Sequence, residues 1–179
     1  MCIMASEPAA PITLKEVQLR LGVPQHVLIH LCERGVIVPD FAETSGRGKR
    51  REFSKRNLFE FGVALALRGF EISVATSAFI VRLLRSFERA TAKAVPNFEL
   101  LGFFADGGEL ELHLFDGAQL AFEAHGGGLR KALLLSIDIG EASREPASRP
   151  RLEPLAELPR VFDGHLQLDL GRIARRTTE

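Results

Sequence analysis

Six cations, Arg47, Lys49, Arg50, Arg51, Lys55 and Arg56, fall within ten residues and are interrupted by one acid, Glu52. Guanidinium and ammonium groups at this density neutralise phosphates. Gly46 and Gly48 let a backbone approach a phosphate closely and supply the positive φ that a hairpin tip needs. A basic run can also be plain solvated surface. This one lies between two apolar, structured segments, which favours phosphate binding. Gln25 and His26 follow Pro24 at the expected start of a helix, where Gln pairs bidentately with adenine and His is less informative. The alternative is that both only solvate that helix start. Arg82, Arg85, Arg89 and Lys93 recur at helical spacing and read as a solvated outer face, with docking against the acidic back half of the chain as the second choice.

Other chemistry-bearing residues are less organised. His113, His125 and His165 do not follow a metal-ligand spacing and read as scattered sheet or surface histidines. Asp106, Glu109, Glu111 and Asp116 resemble the wet face of a hairpin more than a general acid–base pair. Gly126-Gly-Gly128 is not followed by Lys-Ser/Thr and so does not match a phosphate loop. No Ser–His–Asp or Cys–His arrangement is recognisable. The expectation is therefore a protein that is not an enzyme, with no cofactor and no metal.

The elements that must position these residues are legible from periodicity and punctuation. Residues 1–12, with Pro8 and Pro11, read as a flexible leader. Thr13-Leu-Lys-Glu16 reads as a capping box opening a first helix striped by Leu14, Val17 and Leu21. Gly22-Val23 is a tight turn, Pro24 opens a second helix carrying Val27, Leu28 and Leu31 inward, and Gly35 closes it. Val36-Ile-Val38 and Arg51-Glu-Phe53 read as two short strands of a hairpin with a basic tip. Ser54 caps a third helix facing a core with Leu58, Phe61, Ala64 and Leu65. A fourth helix, roughly 72–94, carries Phe79, Ile80, Leu83, Leu84 and Phe87 on one side, and Pro96 closes it. Beyond Pro96, Phe98–Phe104, Glu109–Phe115, Gln119–Ala124 and Lys131–Ile139 read as strands joined by hairpin-type turns, and Glu141–Pro154 as a loop or linker. The fold class expected is α+β: an N-terminal four-helix winged helix-turn-helix, residues 13–95, and a small antiparallel β-rich domain, residues 96–179.

Composition sets the outer bounds. The chain has 179 residues, 46% of them hydrophobic, enough to bury one good core or two small ones without disulfides. Net charge is zero, but the halves differ: residues 1–95 hold 14 Lys/Arg against 9 Asp/Glu, and residues 96–179 hold 9 against 14. That asymmetry suggests a polyanion-binding module joined to one that does not touch DNA. Cys2 and Cys32 are too few for a disulfide framework and fit a reducing compartment. The longest apolar runs fall far short of a membrane span. The expected location is cytoplasmic.

Thr13–Pro39, with Gly22-Val23, Leu28, Gly35 and Pro39, resembles the opening of the MerR family of transcription regulators. Arg51-Glu-Phe-Ser54 resembles the family's Arg-x-aromatic-Ser/Thr junction from wing to third helix, and Leu67-Arg-Gly-Phe70 followed by Ile72 resembles its turn before the fourth helix. The resemblance spans about 75 residues. It implies a winged helix fold in which the second helix reads the major groove and the wings hold phosphates. Two departures stand out. The family's mid-helix Arg, aromatic pair and Glu are replaced by Ile29, His30, Leu31 and Cys32, and Pro96 with strand-like sequence stands where a dimerising coiled coil follows. Family metal sensors also need cysteines near that coiled coil, and none stands there.

The expected function is a MerR-like, sequence-specific, double-stranded-DNA-binding transcriptional regulator. Gln25 and His26 would lie near bases, and Arg47, Lys49, Arg50, Arg51 and Lys55 near phosphates. Alternatives are an excisionase-like architectural DNA-bending factor, and a protein-interaction adaptor whose helix-turn-helix no longer binds DNA. The back half is expected to make a homodimer, with a small-molecule effector or a protein partner as other uses.

Overall fold

The computed structural model describes residues 10–41, 50–115, 119–139, 152–154, 157 and 165–178. It is a mixed α+β structure with six helices and a five-stranded antiparallel sheet among the described residues. The chain divides into two compact units, Met1–Ala78 with Thr178, and Phe79–Thr177 with Glu179. The division falls inside the long helix α4 (Val74–Ala92) and not at Pro96, so residues 79–95 group with the sheet.

The first unit begins with β1 (Ile12–Thr13), α1 (Leu14–Leu21) and α2 (Gln25–Glu33). The Thr13 hydroxyl accepts from the Glu16 N–H at 3.3 Å, which is half of the expected capping box. Glu16 itself turns outward to Arg20 at 3.0 Å. Gly22 takes the left-handed conformation (φ 64°) and its N–H closes α1 on the Gln18 carbonyl, which makes the tight turn into α2. At the end of α2 the N–H groups of Gly35 and Val36 bond to the carbonyls of Cys32 and Leu31, at 3.0 and 2.9 Å. This is a Schellman ending with Gly35 at φ 68°.

That ending overturns the expected hairpin. Val36 and Ile37 both turn their N–H groups to Leu31 and bury their side chains, so they form no strand. Instead β2 (Glu52–Phe53) pairs with β1, placing Phe53 opposite Ile12 and Glu52 opposite Thr13. α3 (Lys55–Gly69) is buried over more of its circumference than a one-sided stripe predicts: Asn57 to Phe61 are all buried in succession. It ends in a second Schellman pattern, with Glu71 N–H on Arg68 and Ile72 N–H on Leu67. Here the left-handed position is Glu71 (φ 59°), two residues beyond Gly69.

The second unit is a sheet backed by helices. Its strands β3 (Glu109–Phe115), β4 (Gln119–His125), β5 (Leu133–Asp138), β6 (Glu153–Pro154) and β7 (Leu166–Asp169) lie in the order β6-β5-β4-β3-β7. One face is apolar: Leu110, Leu112, Leu114, Leu120, Phe122, Ala124 and Leu135 are buried. Phe122 meets the Phe87 ring of α4 at 5.3 Å, so that helix covers this face. Phe98–Phe104, expected as a strand, contains most of the helix α5 (Leu100–Ala105). Leu100, Phe103 and Phe104 are buried at helical spacing, and the Leu100 N–H donates to the Glu88 carboxylate at 3.2 Å. Asp106-Gly-Gly108 is accordingly a helix-to-strand turn. A Cβ on Gly127 would lie 2.4 Å from the Phe103 ring, which gives the glycine run after β4 a packing role. The chain closes with α6 (Leu170–Thr178), whose start is bonded through Asp169 Oδ1 and the Arg172 N–H at 2.8 Å. No described helix is long and apolar enough to cross a membrane.

Candidate functional site

Two groups of polar residues stand out, one in each unit. In the first unit, Gln25 and His26 are exposed in the opening turn of α2. That turn holds no acid and no side-chain cap, so the positive end of the helix is left open. Arg50 is exposed and Arg51 half-buried just before β2, and Lys55 is exposed at the first position of α3. None of these three cations is tied up in an ion pair among the described residues. Because β2 pairs with β1, and β1 runs directly into α1, Arg50 and Arg51 arrive beside the start of α1. Arg47 and Lys49, with Gly46 and Gly48, lie outside the described residues.

The base of the basic segment is fastened by a residue that sequence reasoning missed. Asn57 is wholly buried. Its Oδ1 accepts from the N–H groups of Asp40 (2.8 Å) and Ser54 (3.2 Å), and its Nδ2 donates to the Val38 carbonyl (2.9 Å) and to Glu60 Oε2 (3.0 Å). The Asn57 N–H in turn donates to the Ser54 hydroxyl at 3.0 Å, completing a capping box for α3. Ser54 also donates its hydroxyl proton to Asp40. Asn57 thus holds residues 38–40 and residue 54 together, which are the two ends of the segment carrying the basic run. Glu60, almost fully buried, is balanced by Arg56 at 3.3 Å. Ser54 was readable as a cap, but the reach of Asn57 across the loop has no sequence signature.

In the second unit, the sheet's other face carries the histidines expected to be scattered. Glu111 and Glu123 are cross-strand partners on β3 and β4, and His113 lies two residues along β3 opposite Gln167 of β7. His113 Nε2 is 3.5 Å from a carboxylate oxygen of each glutamate. His113 Nδ1 lies 2.9 Å from His165 Nε2, and the His165 ring stacks on Phe115 at 4.7 Å. Gln167 Nε2 donates to Glu111 Oε2 at 2.7 Å. His125 pairs separately with Glu109.

This face is not simply wet. His113, Phe115, Ala121 and Ser136 are all buried, with the His165 ring lying against His113 and Phe115. Burial holds the His113 imidazole below its ordinary pKa, with His165 adding to the effect and Glu111 and Glu123 opposing it. Alternation along β3 gave the face of each residue; the pairing of β7 with β3, which brings in His165 and Gln167, was invisible.

No family model matches the chain, and no curated protein matches it.

Proposed function

We propose that the chain is a sequence-specific double-stranded-DNA-binding transcriptional regulator of the MerR-like type. Its reading head is a winged helix-turn-helix built from α1, α2 and the basic segment after Asp40. The observation that carries this reading is the combination of an open, acid-free start to α2 with cations beside β2 that form no ion pair among the described residues. A helix-turn-helix presents the first residues of its second helix to base edges, and neighbouring elements grip phosphates. Gln25 and His26 then contact bases, and Arg47, Lys49, Arg50, Arg51 and Lys55 contact phosphates.

The ordered motifs resembling the MerR family support the same assignment. The fastening by Asn57 supports it too, since a phosphate-gripping segment works best from a fixed base. One small domain of this kind gives limited specific affinity, so the regulator acts as a homodimer on two half-sites. The described sheet edges are short, a two-residue β6 ending in Pro154 and a four-residue β7. They offer little backbone for edge-to-edge pairing, and dimerisation is proposed without an assigned surface.

Selection of bound sites from random duplexes tests the function. The expected result is an enriched palindromic sequence whose preference is relaxed by Gln25→Ala, at a cost of about 1–3 kcal/mol at the adenine it reads. A pool with no enrichment would replace the regulator by the adaptor reading, and bending of any sequence alike would replace it by the architectural one.

A further inference from the structure

We propose that Glu111, His113 and Glu123 bind a divalent transition-metal ion, zinc in preference to magnesium or manganese, on the polar face of the sheet. The site stands independently of DNA binding. One ligand atom from each of the three residues can be chosen so that all lie within 4.8 Å of one another. Carboxylates gathered on a sheet face are common and mean little alone. Here the imidazole among them makes the difference. The His113 side chain is only 4% exposed, and its buried Nε2 has no hydrogen-bond partner among the described residues although an oxygen of each carboxylate stands 3.5 Å away.

The separations fit a metal better than a hydrogen bond. A charge-assisted N–H···O bond brings its heavy atoms to about 2.7–2.9 Å, whereas Nε2 stands 3.5 Å from each glutamate oxygen. Zinc holds nitrogen and oxygen donors at about 2.0–2.2 Å in a tetrahedron, which sets donors roughly 3.3–3.5 Å apart. An octahedral ion with ligands at about 2.1 Å sets adjacent donors only about 3.0 Å apart. The His–Glu spacing is that of the tetrahedron.

The surroundings are those that orient metal ligands. When His113 Nδ1–H donates to His165 Nε2, Nε2 carries a lone pair 3.5 Å from an oxygen of each glutamate, and this is the tautomer that a metal selects. Phe115 holds the His165 ring by stacking, and Gln167 holds Glu111 while leaving carboxylate lone pairs for an ion. Glu111 and Glu123 have side chains 31% and 32% exposed, so an ion reaches them from solvent and the carboxylates are free to close on it. Three protein donors leave a fourth corner for water or an anionic ligand.

The test uses the full chain stripped with EDTA and titrated with Zn²⁺ against a chromophoric chelator, then with Co²⁺ as a spectroscopic substitute. One ion per chain is expected, with an intense tetrahedral Co²⁺ spectrum lacking any thiolate charge-transfer band, which excludes Cys2 and Cys32 as ligands. The isosteric variants Glu111→Gln and Glu123→Gln, with folding checked by circular dichroism, each weaken binding at least about tenfold. The positioning variants His165→Ala and Gln167→Ala weaken it by about 10–100-fold, and His125→Ala leaves it unchanged. No bound ion, affinity indifferent to both glutamine variants, a thiolate band, or magnesium or manganese bound as tightly as zinc would each overturn the proposal.

Discussion

The two units handle polar side chains in opposite ways. In the first, Asn57 serves four partners and Glu60 is held by Asn57 and Arg56, so the buried carboxylate has direct contacts although Arg56 Nη2 makes no hydrogen bond among the described residues. Arg50, Arg51 and Lys55 form no ion pair among the described residues. In the second, the buried His113 Nε2 makes no hydrogen bond among the described residues, and a carboxylate oxygen of Glu111 and of Glu123 stands 3.5 Å from it. A fastened base beneath exposed cations suits a surface that grips a long, repetitive polyanion. A buried imidazole nitrogen between two carboxylates suits a small ion. The difference teaches that exposure and the charge of the neighbouring groups, more than residue type, separate the two kinds of site.

Substitutions break or sharpen this contrast, beginning with the largest effect. Phe122→Ala removes the ring that packs on Phe87 and is expected to cost about 3–5 kcal/mol in denaturant unfolding of the sheet unit. It should abolish metal retention while leaving duplex affinity of the folded fraction intact. Loss of both together would show that the two surfaces are not separate. Asn57→Ala leaves the Val38 carbonyl and the Asp40 and Ser54 N–H groups without their partner and takes one donor from buried Glu60. Urea melts should report a loss of about 2–4 kcal/mol. A loss below about 1 kcal/mol would mean that water replaces Asn57 and that the basic segment is not fastened there. Glu71→Gly relieves a left-handed non-glycine residue and should stabilise the first unit by about 0.5–1 kcal/mol. A destabilised variant would assign the Glu71 side chain a contact of its own.

The helices were largely legible because their signals are local. Val17, Leu28, Leu31 and the Phe79–Phe87 stripe are buried as their spacing predicts, and Gly22 and Gly35 close α1 and α2. The alternating leucines of β3 likewise gave its apolar face. What failed was decided by partners distant in sequence. Val36–Val38 has strand composition, but the Leu31 carbonyl and the Asn57 amide claim its backbone. Phe98–Phe104 is apolar without clear period, and the choice of helix follows from burial of Leu100, Phe103 and Phe104 together. His113 and His165 are separated by 52 residues, so no spacing rule could join them. Arg50, Arg51 and Lys55 are singled out by charge density alone, a signal that needs no tertiary contact.

The central claim is that the cations beside β2 grip the phosphates of a DNA duplex. The most direct measurement is the salt dependence of duplex binding by the native chain and by the Arg50→Ala/Arg51→Ala double variant. The account predicts weaker binding to every sequence and a slope of log K against log salt reduced by about one to two units. An unchanged slope, or a native chain that binds no duplex at low salt, would contradict it.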